Sequence, residues 1–260
     1  MLSIIITHYQ APVLLKLCLD SIKENIGDLE YEMIVVDSQS EPAHQDIVEE
    51  RFPQAQFIPF SKNVGCAKIV NAGIKAAKGD YVLILNYDII ISGDSIQRML
   101  EFIKSDPEIG IVGPQLLGFD NSVQNSCFKF PSFITIFVRR TFLGRLKWGK
   151  KKLDQFLIKI NDFLSPKLVD WLQGSAMLVS KKAIDKVGLW DERFFMYLED
   201  TDWCRRFWQN DYQVVYLSSV QMYHYYSRTS KRLGGFLDIF NKYAWIHFFS
   251  AFKYFWKWRH

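Results

Sequence analysis

Cysteine patterns that bind metals or build disulfide frameworks are absent from this 260-residue sequence. No C-x-x-C pair or other metal-ligand spacing occurs among the four cysteines, which are Cys18, Cys66, Cys127 and Cys204. They lie mostly in apolar periodic stretches. The sequence therefore predicts reduced, buried thiols and excludes a cysteine-based metal module.

Long apolar runs are missing too. No stretch reaches about eighteen uninterrupted apolar residues, so no membrane-spanning helix is predicted. The first residues lack a basic region and a long apolar segment, which predicts a strand and not a signal peptide. Internal repeats and low-complexity linkers are also absent. We therefore predict one domain at residues 1–224 with a helical appendage at residues 225–260, in a reducing cytosol.

Charge and aromatic side chains are unevenly distributed. Residues 129–153 carry eight Lys and Arg and no acid, residues 225–260 carry seven against one acid, and the remainder is net acidic. Both basic segments are rich in rings, and aromatic residues make up 16% of the chain, so some rings are expected on the surface. This predicts an anionic partner surface, phospholipid or nucleic acid. The alternative is a homodimer interface or a core-covering helix beside a solvated basic face.

Mostly apolar strands alternate with amphipathic helices through the first half of the chain. The expected strands lie at residues 2–7, 33–36, 57–60, 81–85 and 110–112. This alternation is typical of an α/β protein with a parallel sheet covered on both faces. Residues 118–128 are predicted as a loop, residues 168–180 as sheet, residues 181–187 as a helix, and the end of the chain as helical.

Polar residues follow three of these strands, at residues 7–9, 37–40 and 86–88, and such strand ends are where doubly wound sheets bind ligands. Asp37 ends one strand and suits hydrogen bonds from a nucleobase or ribose, although a lone Asp in this position more often forms a turn. Asn63 opens an N-x-G segment that either brings backbone close to a ligand or caps a helix. Asn86 and Asp88 leave a strand in the same direction. They form a partial shell for Mg²⁺ or Mn²⁺, which His224 would extend, although a lone His is more often structural.

Three carboxylates, Glu199, Asp200 and Asp202, lie within four residues in FFMYLEDTDWCRR. Burial and mutual repulsion would raise the pKa of at least one of them, which suits a general base. The alternative is that these acids stabilise the start of a helix. Both interpretations fit this stretch.

Six blocks together resemble a known family. They are VVD ending at residue 37, N-x-G at 63–65, LNYD at 85–88, DWLQGSAMLV at 170–179, FFMYLEDTDWCRR at 194–206, and a His at 224. Over residues 2–224 they resemble the inverting family-two glycosyltransferases of the GT-A fold, and are especially similar to bacterial rhamnosyltransferases. The resemblance implies a mixed, mainly parallel sheet flanked by helices, with a C-terminal helical appendage.

The resemblance also implies roles for the donor side of the site. The residues that match Thr7, Tyr9 and Asp37 line the base and ribose pocket in this family, and Asn63 lies near the nucleotide. Asp88 matches the final acid of the D-x-D motif, which binds the divalent cation. Asn86 replaces the first acid, and an amide coordinates without adding charge. His224 matches a metal ligand of some members.

On the acceptor side, Asp200 matches the general base. The family segment near the donor sugar and the acceptor matches Asp170, Trp171 and Gly174, and we place Glu199 and Trp203 in the same vicinity. Arg206 matches a recurrent arginine to which we assign no role.

The implied reaction moves a sugar from a nucleotide diphosphate to a hydroxyl of a glycan or lipid-linked glycan, in the synthesis of cell-surface polysaccharide such as O-antigen. Similarity favours dTDP-L-rhamnose as donor, with UDP-hexoses or UDP-N-acetylhexosamines next. We expect a cytoplasmic enzyme, peripheral at the inner face of the cell membrane. A sugar nucleotidyltransferase would need a Gly-rich, basic N-terminal loop, which SIIITHYQAP lacks. The net-acidic body argues against a nucleic-acid partner.

Overall fold

A ten-stranded sheet forms the centre of the computed structural model, which describes residues 1–158, 165–225 and 242–259. The strands are β1 Leu2–His8, β2 Tyr31–Ser38, β3 Gln56–Phe60, β4 Tyr81–Asn86, β5 Ile89–Ile91, β6 Ile109–Leu117, β7 Val123–Gln124, β8 Cys127–Phe128, β9 Lys167–Leu168, β10 Trp171–Leu172, β11 Ala176–Ser180 and β12 Gln213–His224. The main path runs β3-β2-β1-β4-β11-β6-β12-β5, and β8 pairs with β10 in a small second sheet.

Parallel pairing brings the polar strand ends to one edge of the sheet. Strands β3, β2, β1 and β4 are parallel to one another, as are β6 and β12, while β11 is antiparallel to both of its neighbours. Thr7 of β1 is level with Asn86 of β4, and His8 is level with Asp37 of β2. The prediction of a mixed, mainly parallel sheet is confirmed.

Helices cover both faces of the sheet. They are α1 Pro12–Asn25, α2 Pro42–Arg51, α3 Cys66–Ala76, α4 Ser95–Lys104, α5 Phe133–Arg140, α6 Lys147–Phe156, α7 Lys181–Val187, α8 Glu199–Gln209 and α9 Lys242–Lys257, with a 3-10 turn at Phe142–Arg145. Because side chains alternate along a strand, Ile4 and Ile6 join α1, α2 and α4 in one apolar layer, and Ile5 joins α3, α7 and α8 in the other. Burying each such isoleucine stabilises the fold by about 1.5–3 kcal/mol.

The second half of the chain differs most from the predicted elements. The strand predicted at residues 110–112 extends over β6, which contains two glycines and a proline that conceal it in the sequence. A Cβ at Gly110 would lie 2.5 Å from a ring carbon of Phe207, so close packing of α8 explains that glycine. The predicted loop at 118–128 contains β7 and β8.

Helix α9 packs against α5 and against the segment that precedes α8. Phe194, Leu198, Ala251 and Tyr254 form a separate buried apolar cluster there. The predicted domain boundary after residue 224 adjoins residues 226–241, which lie outside the described residues. Within the described part of the chain, every helix is too short or too polar to cross a membrane.

Candidate active site

The ends of β1 and β4 are joined by a side-chain hydrogen bond. Thr7 Oγ1 donates to Asn86 Oδ1 at 3.0 Å and to the backbone oxygen of Leu85 at 3.3 Å. The amide oxygen of Asn86 is therefore directed toward the neighbouring strand. Tyr9 lies just beyond β1, where its hydroxyl is 3.5 Å from Gln39 Oε1.

Asp37 is held between two histidines. His8 Nδ1 lies 2.7 Å from Asp37 Oδ1, and His44 Nδ1 lies 2.8 Å from Asp37 Oδ2. Burial acts to raise the pKa of Asp37, but hydrogen bonds from His8, Ser40 and His44 outweigh it, so the pKa lies below its ordinary value. The Asp37 carboxylate has no exposed surface, so a nucleobase reaches it only if a histidine moves.

The ligand atoms of His8, Asp37 and His44 lie within 4.8 Å of one another, which is compatible with a metal ion. Hydrogen bonding argues against metal binding, because the Ala11 N–H donates to His8 Nε2 at 3.0 Å. That bond places the proton of neutral His8 on Nδ1, from which it is donated to Asp37. We therefore describe the three residues as a hydrogen-bonded support for the end of β2. Sequence reasoning missed His44, whose signal is its place in the first turn of the helix that follows Asp37.

Asp88 directly precedes β5, which pairs with the end of β12, and His224 Nε2 lies 3.5 Å from Asp88 Oδ2. Gln124 Nε2 donates to the backbone oxygen of His224 at 2.9 Å, and its Oε1 lies 2.8 Å from His224 Nδ1. Since an amide oxygen only accepts, neutral His224 carries its proton on Nδ1 and presents the lone pair of Nε2 to Asp88. Sequence reasoning missed Gln124 because it lies in the segment predicted as a loop.

Two lone-pair groups that face each other fit a divalent cation between them. The same conclusion follows from Asp88 Oδ1, which is buried and lacks a hydrogen-bond partner among the described residues. Asp88 and His224, predicted as metal ligands, are thus brought together by the fold. The amide oxygen of Asn86 is not part of this pair, because it accepts a hydrogen bond from Thr7 Oγ1.

Asp200 lies in the first turn of α8 with both oxygens fixed. Its Oδ2 accepts the Gly174 N–H at 3.1 Å, and its Oδ1 accepts the Thr201 N–H at 2.7 Å. A hydrogen bond between the Asn86 N–H and the Ser175 oxygen, 2.9 Å long, ties the same segment to the end of β4. The fold therefore brings Asp200 close to the polar edge of the sheet.

Glu199 and Asp200 share one buried environment but have different partners. Burial raises the pKa of both carboxyls, and the charge of Asp200 raises that of Glu199 further. Asp200 accepts the hydrogen bonds described above, whereas Glu199 Oε2 lacks a partner among the described residues. The hydrogen bonds to Asp200 favour its ionised form, so Asp200 is the carboxyl of the pair that ionises more readily.

Asp202, the third acid of the cluster, points to a different part of the protein. It is fully buried and accepts hydrogen bonds from Arg206 Nε at 3.0 Å and Trp258 Nε1 at 2.9 Å, with Lys257 Nζ at 2.8 Å. Arg206, left without a role above, thus pairs with Asp202 and also donates to the backbone oxygens of Val187 and Leu189. Asp202 is a structural anchor.

The remaining predicted residues divide between the site and the core. A Cβ on Gly174 would lie 3.3 Å from the Cβ of Asp200 and 2.8 Å from the ring of Trp190, so only glycine fits there. Asp170 Oδ2 accepts the Phe130 N–H at 2.7 Å. Trp171 is 7% exposed and stacks on Phe128, and fully buried Trp203 packs on other core rings.

The N-x-G segment supports the turn that precedes α8. Asn63 Oδ1 accepts the Gly65 N–H at 3.0 Å, and the Cys66 N–H donates to the Phe195 oxygen at 2.8 Å. Gly65 has a φ of +87°, and a Cβ there would lie 2.5 Å from the Phe195 oxygen. The N-x-G segment thus brings its backbone close to the backbone of Phe195, in the segment that precedes α8.

Comparisons with known proteins agree with this architecture. The sequence model described as Glycosyl transferase family 2 matches residues 3–160. The chain is 28% identical over 215 residues to an N-acetylglucosaminyl-diphospho-decaprenol L-rhamnosyltransferase of Mycobacterium tuberculosis, covering 77% of this chain and 68% of that protein. It is 27% identical over 184 residues to Rhamnosyltransferase WbbL of Escherichia coli, covering 69% and 63%.

The fold is also found in a solved structure of a mannosyltransferase from Pyrobaculum calidifontis in complex with GDP-Man and Mn²⁺. That structure superimposes with a TM-score of 0.58 at 18% identity, over 87% of this chain and 57% of the other. The fold is therefore the GT-A glycosyltransferase fold. The family match covers more than half of the sequence, so the chain belongs to glycosyl transferase family 2 and is a glycosyltransferase.

The raised pKa of Glu199 predicts a pH-dependent stability. Above the ordinary glutamate pKa of 4.5, the folded chain binds a proton that the unfolded chain has lost, so stability falls as pH rises toward the raised value. The slope is at most about 1.4 kcal/mol per pH unit for one proton. We expect Glu199→Gln to remove this slope, measured by urea unfolding from pH 5 upward, with Glu49→Gln on exposed α2 as control. Equal slopes of stability against pH in the unsubstituted chain, Glu199→Gln and Glu49→Gln would contradict the raised pKa of Glu199.

Proposed function

We propose that the chain is an inverting transferase that moves L-rhamnose from dTDP-L-rhamnose to a hydroxyl of a glycan or lipid-linked glycan. The observation that carries this proposal is the buried Asp200 carboxylate, whose two oxygens are fixed by the Gly174 and Thr201 backbone N–H groups next to Glu199. The choice of sugar is supported by the two rhamnosyltransferase relatives, of which the chain spans about two thirds. A UDP-hexose or UDP-N-acetylhexosamine donor is the alternative.

In the proposed reaction, Asp200 accepts the proton of the acceptor hydroxyl. The acceptor oxygen forms a bond to the anomeric carbon while the bond from that carbon to the diphosphate oxygen breaks, which inverts the configuration. The raised pKa of Asp200 improves it as a base, and its fixed oxygens keep it oriented. Asp200 is the carboxyl of the pair that ionises more readily, so the proton is transferred to Asp200.

On the donor side, we assign Asp88 and His224 to a divalent cation, Mg²⁺ or Mn²⁺. Bound there, the cation would stabilise the negative charge that develops on the leaving nucleotide diphosphate. Thr7, Tyr9, Asp37, Asn63 and Asn86 are assigned to the nucleotide side. Of these, Asp37 acts by holding His8 in place, since its own carboxylate is buried.

Asp200→Asn is expected to abolish turnover while nucleotide binding survives, because the amide keeps the shape of the carboxylate but cannot accept the proton. The measurement is hydrolysis of a panel of nucleotide sugars, including dTDP-L-rhamnose, UDP-hexoses and UDP-N-acetylhexosamines, with water replacing the acceptor. Nucleotide affinity is followed by calorimetry. Asp185→Asn, on exposed α7, is the matched control. Turnover in clean Asp200→Asn protein would remove Asp200 from the base role, and turnover of UDP-sugars alone would favour the alternative donor.

Asp88→Ala is expected to remove the metal-dependent part of nucleotide affinity, since the carboxylate supplies the negative charge of the donor set. Calorimetry of dTDP binding with Mg²⁺, with Mn²⁺ and with chelator measures this part. Gln124→Leu tests His224 separately, because it removes the side chain that fixes the tautomer of the imidazole. We expect a smaller loss of metal-dependent dTDP affinity than in Asp88→Ala. Unchanged dTDP binding by Asp88→Ala in all three conditions would refute the metal assignment.

We further propose that the acceptor is met at an anionic membrane surface. Along α9 five aromatic side chains are about half exposed and recur with helical spacing on one face: Trp245, Phe248, Phe249, Phe252 and Trp256. Phe133, Ile134 and Phe137 of neighbouring α5 are equally exposed. Next to α5, helix α6 and its preceding turn expose Trp148 among basic residues: Arg145, Lys147, Lys150, Lys151 and Lys152. Rings flanked by lysines suit the headgroup layer of an anionic bilayer.

The membrane proposal predicts binding to phosphatidylglycerol vesicles and weaker binding to phosphatidylcholine vesicles in flotation. The double substitution Phe252→Ser and Trp256→Ser should weaken binding to both kinds of vesicle, because each change removes ring area from the aromatic face of α9. The double substitution Lys150→Ser and Lys151→Ser should weaken binding to the phosphatidylglycerol vesicles only. Absence of binding to either vesicle would contradict the proposal. A twofold mass in light scattering that the ring substitutions abolish would instead identify the face as a homodimer interface.

A further inference from the structure

The face of α9 opposite its aromatic face contacts the segment that leads into α8. The contacting residues recur at helical spacing, and they are His247, Ser250, Ala251, Tyr254, Lys257 and, one residue beyond the helix, Trp258. Helix α9 therefore has a buried structural face in addition to its exposed aromatic face. The buried face contacts the turn immediately before Asp200.

This turn has an unfavourable backbone. Tyr197 has a φ of +73° and Leu198 a φ of +68°, and neither is a glycine, asparagine or aspartate. The left-handed region costs such residues about 1–2 kcal/mol each. Leu198 is also the residue immediately before α8, so its conformation sets the direction of the first helical turn, where Asp200 lies. Contacts from outside the turn must stabilise it.

Helix α9 supplies contacts at the turn itself. Ser250 Oγ donates to the Met196 oxygen at 2.8 Å, just before the two left-handed residues. Leu198 packs on Ala251 and Tyr254 in the small buried cluster, and the ring of Tyr197 lies 5.0 Å from that of His247. The turn is therefore held on its α9 side by one hydrogen bond and by apolar packing.

A second anchor lies two residues beyond Asp200. Asp202 is fully buried, and α9 supplies it with the Lys257 ammonium and, from just past the helix, the Trp258 indole N–H, at 2.8 and 2.9 Å. Lys257 also bridges to Asp191 Oδ2 at 2.9 Å, at the start of the segment. The anchors thus lie on both sides of Asp200 and oppose rotation of the first turn of α8.

We propose that α9 positions the catalytic base: Ser250, Lys257 and Trp258 hold the left-handed turn and Asp202 so that Asp200 keeps its orientation. They are positioning residues, because they touch Asp200 only through other groups. This inference rests on the proposed role of Asp200 as base, and it is independent of what the outer face of α9 binds. The donor-side residue Asn63 adjoins this network, because the Gly65 and Cys66 backbone that follows it contacts Phe195.

The test uses Ser250→Ala, Lys257→Met and Trp258→Phe in the full chain. Thermal unfolding gives the Tm of each variant, and donor hydrolysis and dTDP affinity are then measured well below that temperature. We expect kcat to fall about 10- to 100-fold, as for a base displaced by about 1 Å, with dTDP affinity unchanged. Lys257→Arg should restore most of the kcat lost in Lys257→Met. Lys186→Met, which removes a lysine bound to the Asn210 oxygen at 2.9 Å, is the matched control and should keep the original kcat.

Hydrogen exchange gives a readout that does not depend on activity. Amides of the segment 194–202 should exchange faster in Ser250→Ala and Lys257→Met, while those of β1 and β4 keep their rates. The proposal is overturned if the three variants keep the original kcat, or if kcat and dTDP affinity fall together. If Asp200→Asn is inactive while these variants are fully active, only this inference fails. If Asp200→Asn is active, the proposed base fails first.

Discussion

The carboxylates near the sheet edge differ in their partners, and the rest of the site depends on those differences. Asp37 has two imidazoles, Asp202 has three cationic or N–H donors, and Asp200 has backbone N–H groups. Burial alone would favour the neutral form of Asp37 and Asp200, but with its donors the pKa of Asp37 lies below its ordinary value, while that of Asp200 stays raised. The same residue type thus becomes a support at Asp37, an anchor at Asp202 and the proposed base at Asp200, according to what surrounds it.

Much of the fold follows from local sequence, because strands and helices alternate with apolar patterns that sheet and helix geometry require. The start of α8 at Glu199 and the helix at 181–187 are examples in which local signals agree with the structure. The partners of the acids could not be predicted in the same way. Gln124 is 100 residues from His224 and Ser250 is 54 from Met196, and neither spacing has a local signature.

The acid cluster shows why local pattern and function were hard to separate. The helix-start interpretation of FFMYLEDTDWCRR agrees with the structure, because all three acids lie in the first turn of α8, and the reactive carboxyl stays a proposal for one of them. Asp202 is the structural acid, since its bonds to Arg206, Lys257 and Trp258 join α8 to α9. Glu199 and Asp200 are the pair with raised pKa values. The sequence groups all three because they lie within four residues, on one helical turn, and their different partners become visible only in the packing of α9.

The composition of the C-terminal segment predicts that some of its rings are exposed. It does not predict that the opposite face of α9 contacts the turn before α8 and Asp202. Its sixteen residues contain serine, alanine, tyrosine and lysine at positions that look like interruptions of an aromatic helix. Four of these residues have contacts on the inner face: Ser250 donates to a backbone oxygen, Ala251 and Tyr254 fill a small apolar cluster, and Lys257 binds two carboxylates. A helix that only covered a surface would not need these residue types in this order. The inner face of α9 is therefore built for its contacts with the turn before α8 and with Asp202, which is the basis for proposing that the helix positions Asp200.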